Sequence, residues 1–262
     1  MEIAFDAIGI EISNKNVFKT LAEDVGRRGE LSLLRRKSGI LHGRCLKLGA
    51  GLEIWNVLYE SGTGEVFAPN FRPGFRARFA QKISPWVLTE FDEEGEAVIH
   101  GFIEDSETEV LFELQNLTEV GTAILNRNTL RVGLGGLAYR AEVFRGGKEM
   151  FWRSYDEITL NVIANENIWS LGGRILAFNS FQNPLSGNDL YWLYLDTGRL
   201  KLEILASRRL LKGDELRVGS FIKADIWLQG HILNKFDLGT TYEGVDPSFR
   251  TVDFWKKFKR PN

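Results

Sequence analysis

The chain has 262 residues, 44% of them hydrophobic and 26% charged, and a formal net charge of −2. This composition is ordinary for a globular protein and excludes fibrous and intrinsically disordered classes. A sequence pI near 6.0 provides no global positive field of the kind that nucleic-acid binders carry. The single cysteine cannot form an internal disulfide, and no segment has the pattern of a signal peptide or a membrane span. These features predict a cytoplasmic protein with no membrane span.

A helix is predicted near the start of the chain. Apolar residues recur between Val17 and Val25 with the 3.6-residue period of an amphipathic helix. Either Ser13 or Asn14 can cap its start, and either Gly26 or Gly29 can end it in the left-handed conformation.

Four strands are predicted around this helix, at Phe5–Ile12 before it and at Leu31–Leu34, Ile40–Leu48 and Leu52–Tyr59 after it. The resulting β-α-β-β-β order resembles the half-module of the glyoxalase-type fold. The resemblance is one of element order over about 60 residues. Because no residue motif of that family accompanies it, no activity follows from it.

The predicted fold class is mainly β (α+β), with a head followed by two small antiparallel barrel-like or sandwich-like β units. The head covers residues 1–62, and a basic-aromatic connection rich in Gly and Pro covers 63–85. The first β unit is 86–149 and the second is 169–236, joined by a connection at 150–168. A C-terminal tail covers 237–262, and a predicted strand at 158–163 falls within the connection.

The two β units have a short sequence in common, which indicates a tandem repeat. Leu130–Gly133 and Leu216–Gly219 both read Leu-Arg-Val-Gly, and each is predicted to open a long strand. Duplication and chance both remain open as explanations. Within the first of these strands, the alternation of apolar residues shifts by one at Gly135-Gly136, which predicts a β-bulge there.

The glycine motif of residues 133–138 fits G-x-G-x-x-A, a dinucleotide-binding fingerprint, and Asp156 follows at a suitable distance. The residues before it are polar and those after it alternate like a strand, so a bulged strand is the preferred interpretation and no cofactor is predicted.

Candidate nucleophiles and metal ligands are few. His42 and Cys45 would point to opposite faces of one strand, which prevents them from forming a catalytic pair. His100 and His231 lack metal-ligand spacing and are interpreted as structural histidines. We therefore predict no catalytic residue and no metal site.

Basic and acidic residues are segregated along the chain. Residues 26–82 contain 11 Lys/Arg against 4 Asp/Glu, whereas residues 83–126 contain 11 Asp/Glu and no Lys or Arg. We call residues 83–126 the acidic block. Arg72, Arg76 and Arg78 lie close together in the sequence. Their charges repel one another unless an anion or an acidic surface lies nearby, and the acidic block is the nearest such surface in sequence.

The candidate ligand-binding residues are Arg72, Phe75, Arg76 and Arg78, which interleave guanidinium groups with aromatic rings. Such a segment can hold a phosphorylated ligand or an unpaired base, or it can pair with the acidic block. The C-terminal residues 254–260 have similar chemistry and are a second candidate anchor.

The predicted function is that of a non-catalytic cytoplasmic binding or interaction module, whose partner is either a protein or an anionic ligand. One alternative is an enzyme or sensor that binds an anionic small molecule in a pocket between the head and the β units. A third is a single-stranded nucleic-acid binder, which the acidic pI disfavours.

Overall fold

The computed structural model describes residues 2–91, 95–104, 106–120, 128–147, 149–154 and 167–233. The predicted mainly β class is confirmed, since two helices accompany fourteen strands in these ranges. The helices are α1 (Glu2–Ala7) and α2 (Lys15–Arg28). The strands are β1 (Glu30–Arg35), β2 (Gly39–Gly49), β3 (Leu52–Ser61), β4 (Val66–Phe75), β5 (Ala80–Phe91), β6 (Glu96–Ile103), β7 (Thr108–Leu114), β8 (Leu130–Phe144), β9 (Phe151–Ser154), β10 (Ile168–Gln182), β11 (Asp189–Asp196), β12 (Lys201–Ser207), β13 (Leu211–Gly213) and β14 (Phe221–Ile232). The predicted strand at 158–163 and the tail 237–262 lie outside the described residues.

Helix α2 confirms the predicted amphipathic helix. It begins after Asn14, whose side-chain oxygen accepts hydrogen bonds from the backbone N–H groups of Asn16 and Val17, each at 3.0 Å. It ends at Gly29, whose N–H donates to the Val25 carbonyl. Gly29 is extended, with φ −66°, so the predicted left-handed ending is wrong.

The predicted first strand, Phe5–Ile12, is also wrong, because this region holds the short helix α1 and a turn. Phe5 and Ile8 are both fully buried, and the Phe5 ring stacks on Phe71 at 5.2 Å between centroids. A helix of six residues makes fewer than two turns, which is too short for a helical period to distinguish it from a strand. The head therefore departs from the glyoxalase-type order at its first element.

Strands β1 to β4 form an antiparallel four-stranded sheet in sequence order. Strand β4 lies within the segment 63–85 that was predicted as a connection. It contains Pro69 and Pro73. These prolines are tolerated because β4 is an edge strand, where a missing N–H breaks no ladder bond. Gln229 of β14 covers this edge, since its side chain donates to the Pro73 carbonyl at 3.1 Å and accepts from the Phe75 N–H at 3.0 Å.

The other ten strands form a sheet that closes into two rings. The first ring runs β5-β6-β7-β14-β8 and returns to β5. The second runs β8-β12-β11-β10-β14 and returns to β8. Both rings share the long antiparallel pair β8–β14, and a continuous apolar core runs through them. A second core packs α1, the four-stranded sheet and β12 together.

The two rings have the same strand order: a three-strand meander, then a fourth strand that pairs with the first. Gly133 and Gly219 do not hold equivalent positions, because Gly133 is paired inside β8 whereas Gly219 lies in the turn before β14. The duplication itself stays a prediction. A bulge does occur in β8, but the shift in its pairing with β14 falls at Tyr139, opposite the step from Asp225 to Ile226, and not at the glycine pair.

Candidate functional site

The candidate ligand-binding residues lie at the junction between the four-stranded sheet and the rings. Arg72 and Phe75 are buried, with 2% and 1% of their surface exposed, while Arg76 and Arg78 are partly exposed. They do not converge on one open surface. The side chains of Arg72 and Arg76 instead pair with different carboxylates, and the backbone N–H of Arg78 donates to another. Ligand binding by these four residues stays a prediction.

Arg72 reaches from β4 to β7 in the acidic block. Its Nε lies 3.0 Å from Glu113 Oε1 and donates to Gln115 Oε1 at 3.1 Å. Burial raises the pKa of Glu113 to about 7, although the positive charge of Arg72 opposes this shift. The pair therefore joins the two sheets at a buried position.

Arg76 joins the same two parts of the molecule. Its Nε donates to Glu53 Oε1 at 2.7 Å, and its Nη2 donates to Glu119 Oε2 at 2.9 Å. Glu119 also belongs to the acidic block. Two of the three arginines, Arg72 and Arg76, therefore contact the acidic block, as the charge segregation predicts.

Glu53 is held by three donors. Besides Arg76, the indole N–H of Trp55 donates to its Oε2 at 3.0 Å, and His231 Nε2 lies 3.0 Å from the same oxygen. Burial alone would raise the pKa of Glu53, but His231 and Arg76 outweigh it and lower that pKa to about 2.

The surroundings of His231 favour its neutral form. It is fully buried, and burial lowers its pKa despite the neighbouring carboxylate. Its Nδ1 has no hydrogen-bond partner among the described residues, which suits the acceptor nitrogen of a neutral ring whose Nε2–H donates to Glu53. A protonated ring would bury an unpaired N–H.

A fourth carboxylate, Glu203, binds the backbone at Arg78 and Phe79. Its Oε1 accepts from the N–H groups of Arg78 and Phe79, and its Oε2 accepts from Trp192 Nε1 at 2.6 Å. Burial raises the pKa of Glu203. The buried carboxylates of the junction and their partners are far apart in sequence, so spacing along the chain does not identify these contacts.

The remaining histidines and the cysteine have ordinary environments. His42 and Cys45 lie on opposite faces of β2, His42 beside Glu60 and Cys45 in the interior. Burial raises the pKa of the Cys45 thiol. Within the described ranges, no group of three His, Cys, Asp or Glu side chains is placed to hold a metal ion.

The glycine motif of residues 133–138 lies inside β8 and does not precede a helix. Its glycines serve packing: a Cβ at Gly135 would come within 2.8 Å of the Phe75 ring. Asp156 lies outside the described residues.

An exposed cluster of rings lies on the outer surface of β5 and β6. Trp86 is the unpaired residue where the register of these strands shifts, and 68% of its surface is exposed. Its ring lies 5.2 Å from His100 and 6.2 Å from Phe102 between centroids. Together with Val87, which pairs with His100, these residues form what we call the aromatic face. The sequence feature that indicates this exposed tryptophan is the Pro85-Trp86 step, which interrupts the alternation of side chains along β5.

Of the described segments, neither helix has the length and hydrophobicity that a bilayer-spanning helix needs. No model of a known protein family matches the chain, and comparisons with curated proteins and with solved structures give no match.

Proposed function

We propose that the protein is a non-catalytic binding module that docks a basic segment of a partner protein on the aromatic face. The observation that carries the proposal is the exposure of Trp86 on strand β5, next to the rings of His100 and Phe102. Tryptophan is among the residues most enriched at the energetic centres of protein interfaces. In this proposal the protein acts in the cytoplasm.

The charges around the aromatic face favour a basic partner. Phe102 pairs with Glu109 across β6 and β7, and Glu104, just after β6, accepts a hydrogen bond at 3.2 Å from Ser84, which pairs with Phe102. Glu109 is exposed and its Oε1 lies 2.5 Å from His100 Nε2. The basic residue of β5 is Lys82, whose carbonyl accepts a hydrogen bond from the Glu104 N–H at 3.0 Å.

A lysine or arginine of the partner can contact the Trp86 ring and the neighbouring carboxylates at once. A guanidinium group over an exposed indole contributes about 0.5–1 kcal/mol, and the neighbouring carboxylates attract the same charge over a distance of about 10 Å in ordinary salt. The aromatic ring supplies contact area and the acids supply the preference for a positive partner.

Binding of a fluorescein-labelled peptide of alternating arginine and alanine, followed by fluorescence anisotropy, tests the proposal. We expect saturable binding that weakens with added salt, and a loss of about tenfold in affinity for Trp86→Ala. Glu109→Gln should weaken binding less, since it removes one exposed charge. A peptide of alternating glutamate and alanine should not bind.

Two variants serve as matched controls. Phe67→Ala removes another exposed ring, on β4, and should leave binding unchanged. Lys82→Gln removes the basic residue at the end of β5 and should leave binding unchanged or strengthen it. Equal loss for Trp86→Ala and Phe67→Ala would contradict the proposal, and binding of single-stranded oligothymidine in place of the basic peptide would favour the nucleic-acid alternative.

A further inference from the structure

A cavity of about 330 Å³ opens between the N-terminal segment and the second ring. Gly9 and Glu11 line it on one side, and Asn188, Asp189 and residues 207–209 line it on the other. The second group comes from one end of the β11–β12 hairpin. The cavity is remote in the fold from the aromatic face, which belongs to the first ring.

The N-terminal wall of this cavity is fixed by direct hydrogen bonds. Asn183 Nδ2 donates to the Ile8 carbonyl at 2.6 Å, and Asn188 Nδ2 donates to the Gly9 carbonyl at 2.7 Å. Gly9 has φ +72°, and a Cβ there would lie 3.1 Å from Asn188 Cβ. The wall is therefore held in place by the second ring and requires glycine at this position.

The cavity presents balanced charges of both signs. Arg208 Nη1 lies 3.5 Å from Asp189 Oδ2, and Arg209 Nη1 lies 3.8 Å from Glu11 Oε2. These separations exceed the 2.7–2.9 Å of a good charge-assisted hydrogen bond. Arg209 also pairs with Asp6 through Nη2, so Arg208 and the two carboxylates are the groups that retain capacity for a ligand, and a purely anionic ligand would face those two carboxylates.

A buried hydroxyl also lines the cavity. Ser207 is 3% exposed, and its Oγ has no hydrogen-bond partner among the described residues. A buried polar group without a partner costs free energy, which a ligand atom can recover. This is independent of the charges around the rim, and it indicates a polar occupant.

We propose that this cavity binds a small zwitterion of the size of a free amino acid or a dipeptide. Its carboxylate pairs with Arg208, its ammonium group lies against Asp189 and Glu11, and Ser207 Oγ bonds a polar atom of the same molecule. The volume is that of roughly ten water molecules, which suits a ligand of this size. The site is separate from the proposed partner-binding function and does not depend on it.

Saturation-transfer NMR with free L-amino acids that have uncharged side chains, and with dipeptides of the same residues, tests this inference. We expect at least one free zwitterion to bind. Its N-acetyl derivative lacks the ammonium charge and its methyl ester lacks the carboxylate, so each should bind about tenfold more weakly or worse. No binding by any member of the set, or equal binding of a zwitterion and its N-acetyl derivative, would overturn the proposal.

Variants locate the binding. Arg208→Gln and Ser207→Ala should each weaken it, by about tenfold for the charge and less for the hydroxyl. Arg217→Gln is the matched control, because Arg217 is an equally exposed arginine paired with Glu215 at 2.8 Å outside the cavity. Binding that survives Arg208→Gln and Ser207→Ala, or is lost equally in Arg217→Gln, would place the ligand elsewhere and overturn the assignment.

Discussion

His231 and Glu53 are 178 residues apart in sequence, yet His231 Nε2 lies 3.0 Å from Glu53 Oε2 with both side chains buried. The contact joins β14, the strand common to both rings, to β3 of the four-stranded sheet. Because both side chains are buried between the sheets, a substrate cannot reach them, which distinguishes this contact from a catalytic histidine–carboxylate pair.

Removing the charge of Glu53 should destabilise the fold. Glu53→Gln leaves Arg76 without one carboxylate and places an amide NH₂ opposite the donors Trp55 and His231. We expect a loss of about 3 kcal/mol in the free energy of unfolding, measured by urea denaturation. Glu215→Gln, at an exposed ion pair, should cause no measurable change, and a similar loss in both variants would contradict this interpretation.

The Arg72–Glu113 pair should show strong coupling. Arg72→Met alone leaves a buried carboxyl without its partner and should cost about 3 kcal/mol. The double variant Arg72→Met/Glu113→Leu should recover most of that loss, because Arg72 Nη1, Glu113 Oε1 and Gln115 Nε2 lack hydrogen-bond partners in the described part of the chain. Additive losses in a double-mutant cycle would contradict the coupling.

Glu113 should also give a distinctive pH dependence. Burial raises its pKa from 4.5 to about 7, so folding favours the protonated form. The resulting stabilisation is fully present below pH 4.5 and is lost as the pH rises through 7. Because Glu113→Gln stays neutral, its stability relative to the unmodified protein should increase over this range. Urea titrations at several pH values measure the difference in the free energy of unfolding between Glu113→Gln and the unmodified protein. The opposite pH dependence that His231 contributes is present in both proteins and cancels in this difference. A difference that does not change with pH would contradict the raised pKa of Glu113.

Gly230 should not tolerate a side chain. A Cβ there would lie 2.4 Å from two ring atoms of Phe112, which is fully buried in the core. Gly230→Ala should therefore cost about 1–3 kcal/mol through overpacking, seen as a lower melting temperature. Gly146→Ala, where nothing lies within 4 Å of the new Cβ, is the control and should be neutral.

Local signals account for the elements that the sequence predicted. The helix around Val17–Val25 has both a period and a cap, and the strands after it are apolar runs separated by glycines, so both are recognisable without tertiary information. Strand β4 was missed because its prolines are acceptable only at a sheet edge, which depends on the position of the strand in the sheet. Helix α1 is not recognisable from the sequence because its six residues are too few to show a helical period.

The candidate site was predictable only in part. The segregation of charge placed Arg72 and Arg76 against the acidic block, and both contacts occur. The sequence could not indicate that the arginines are largely buried, or that Glu53 and His231 meet across two sheets. Such contacts depend on the three-dimensional arrangement of the strands and cannot be predicted from the spacing of residues along the chain.

The sharing of β8 and β14 between the two rings has a consequence for how the chain folds as it is synthesised. Strands β5 to β8 are complete long before residues 221–232 leave the ribosome, and until then a gap separates β7 from β8. The growing chain carries a curved, open sheet with two unpaired edges, which can pair with other chains. Synthesis of β14 fills that gap and closes the second ring with the same strand, so the final step protects both halves at once. A chain truncated before β14 should therefore aggregate, even though it contains every strand of the first meander.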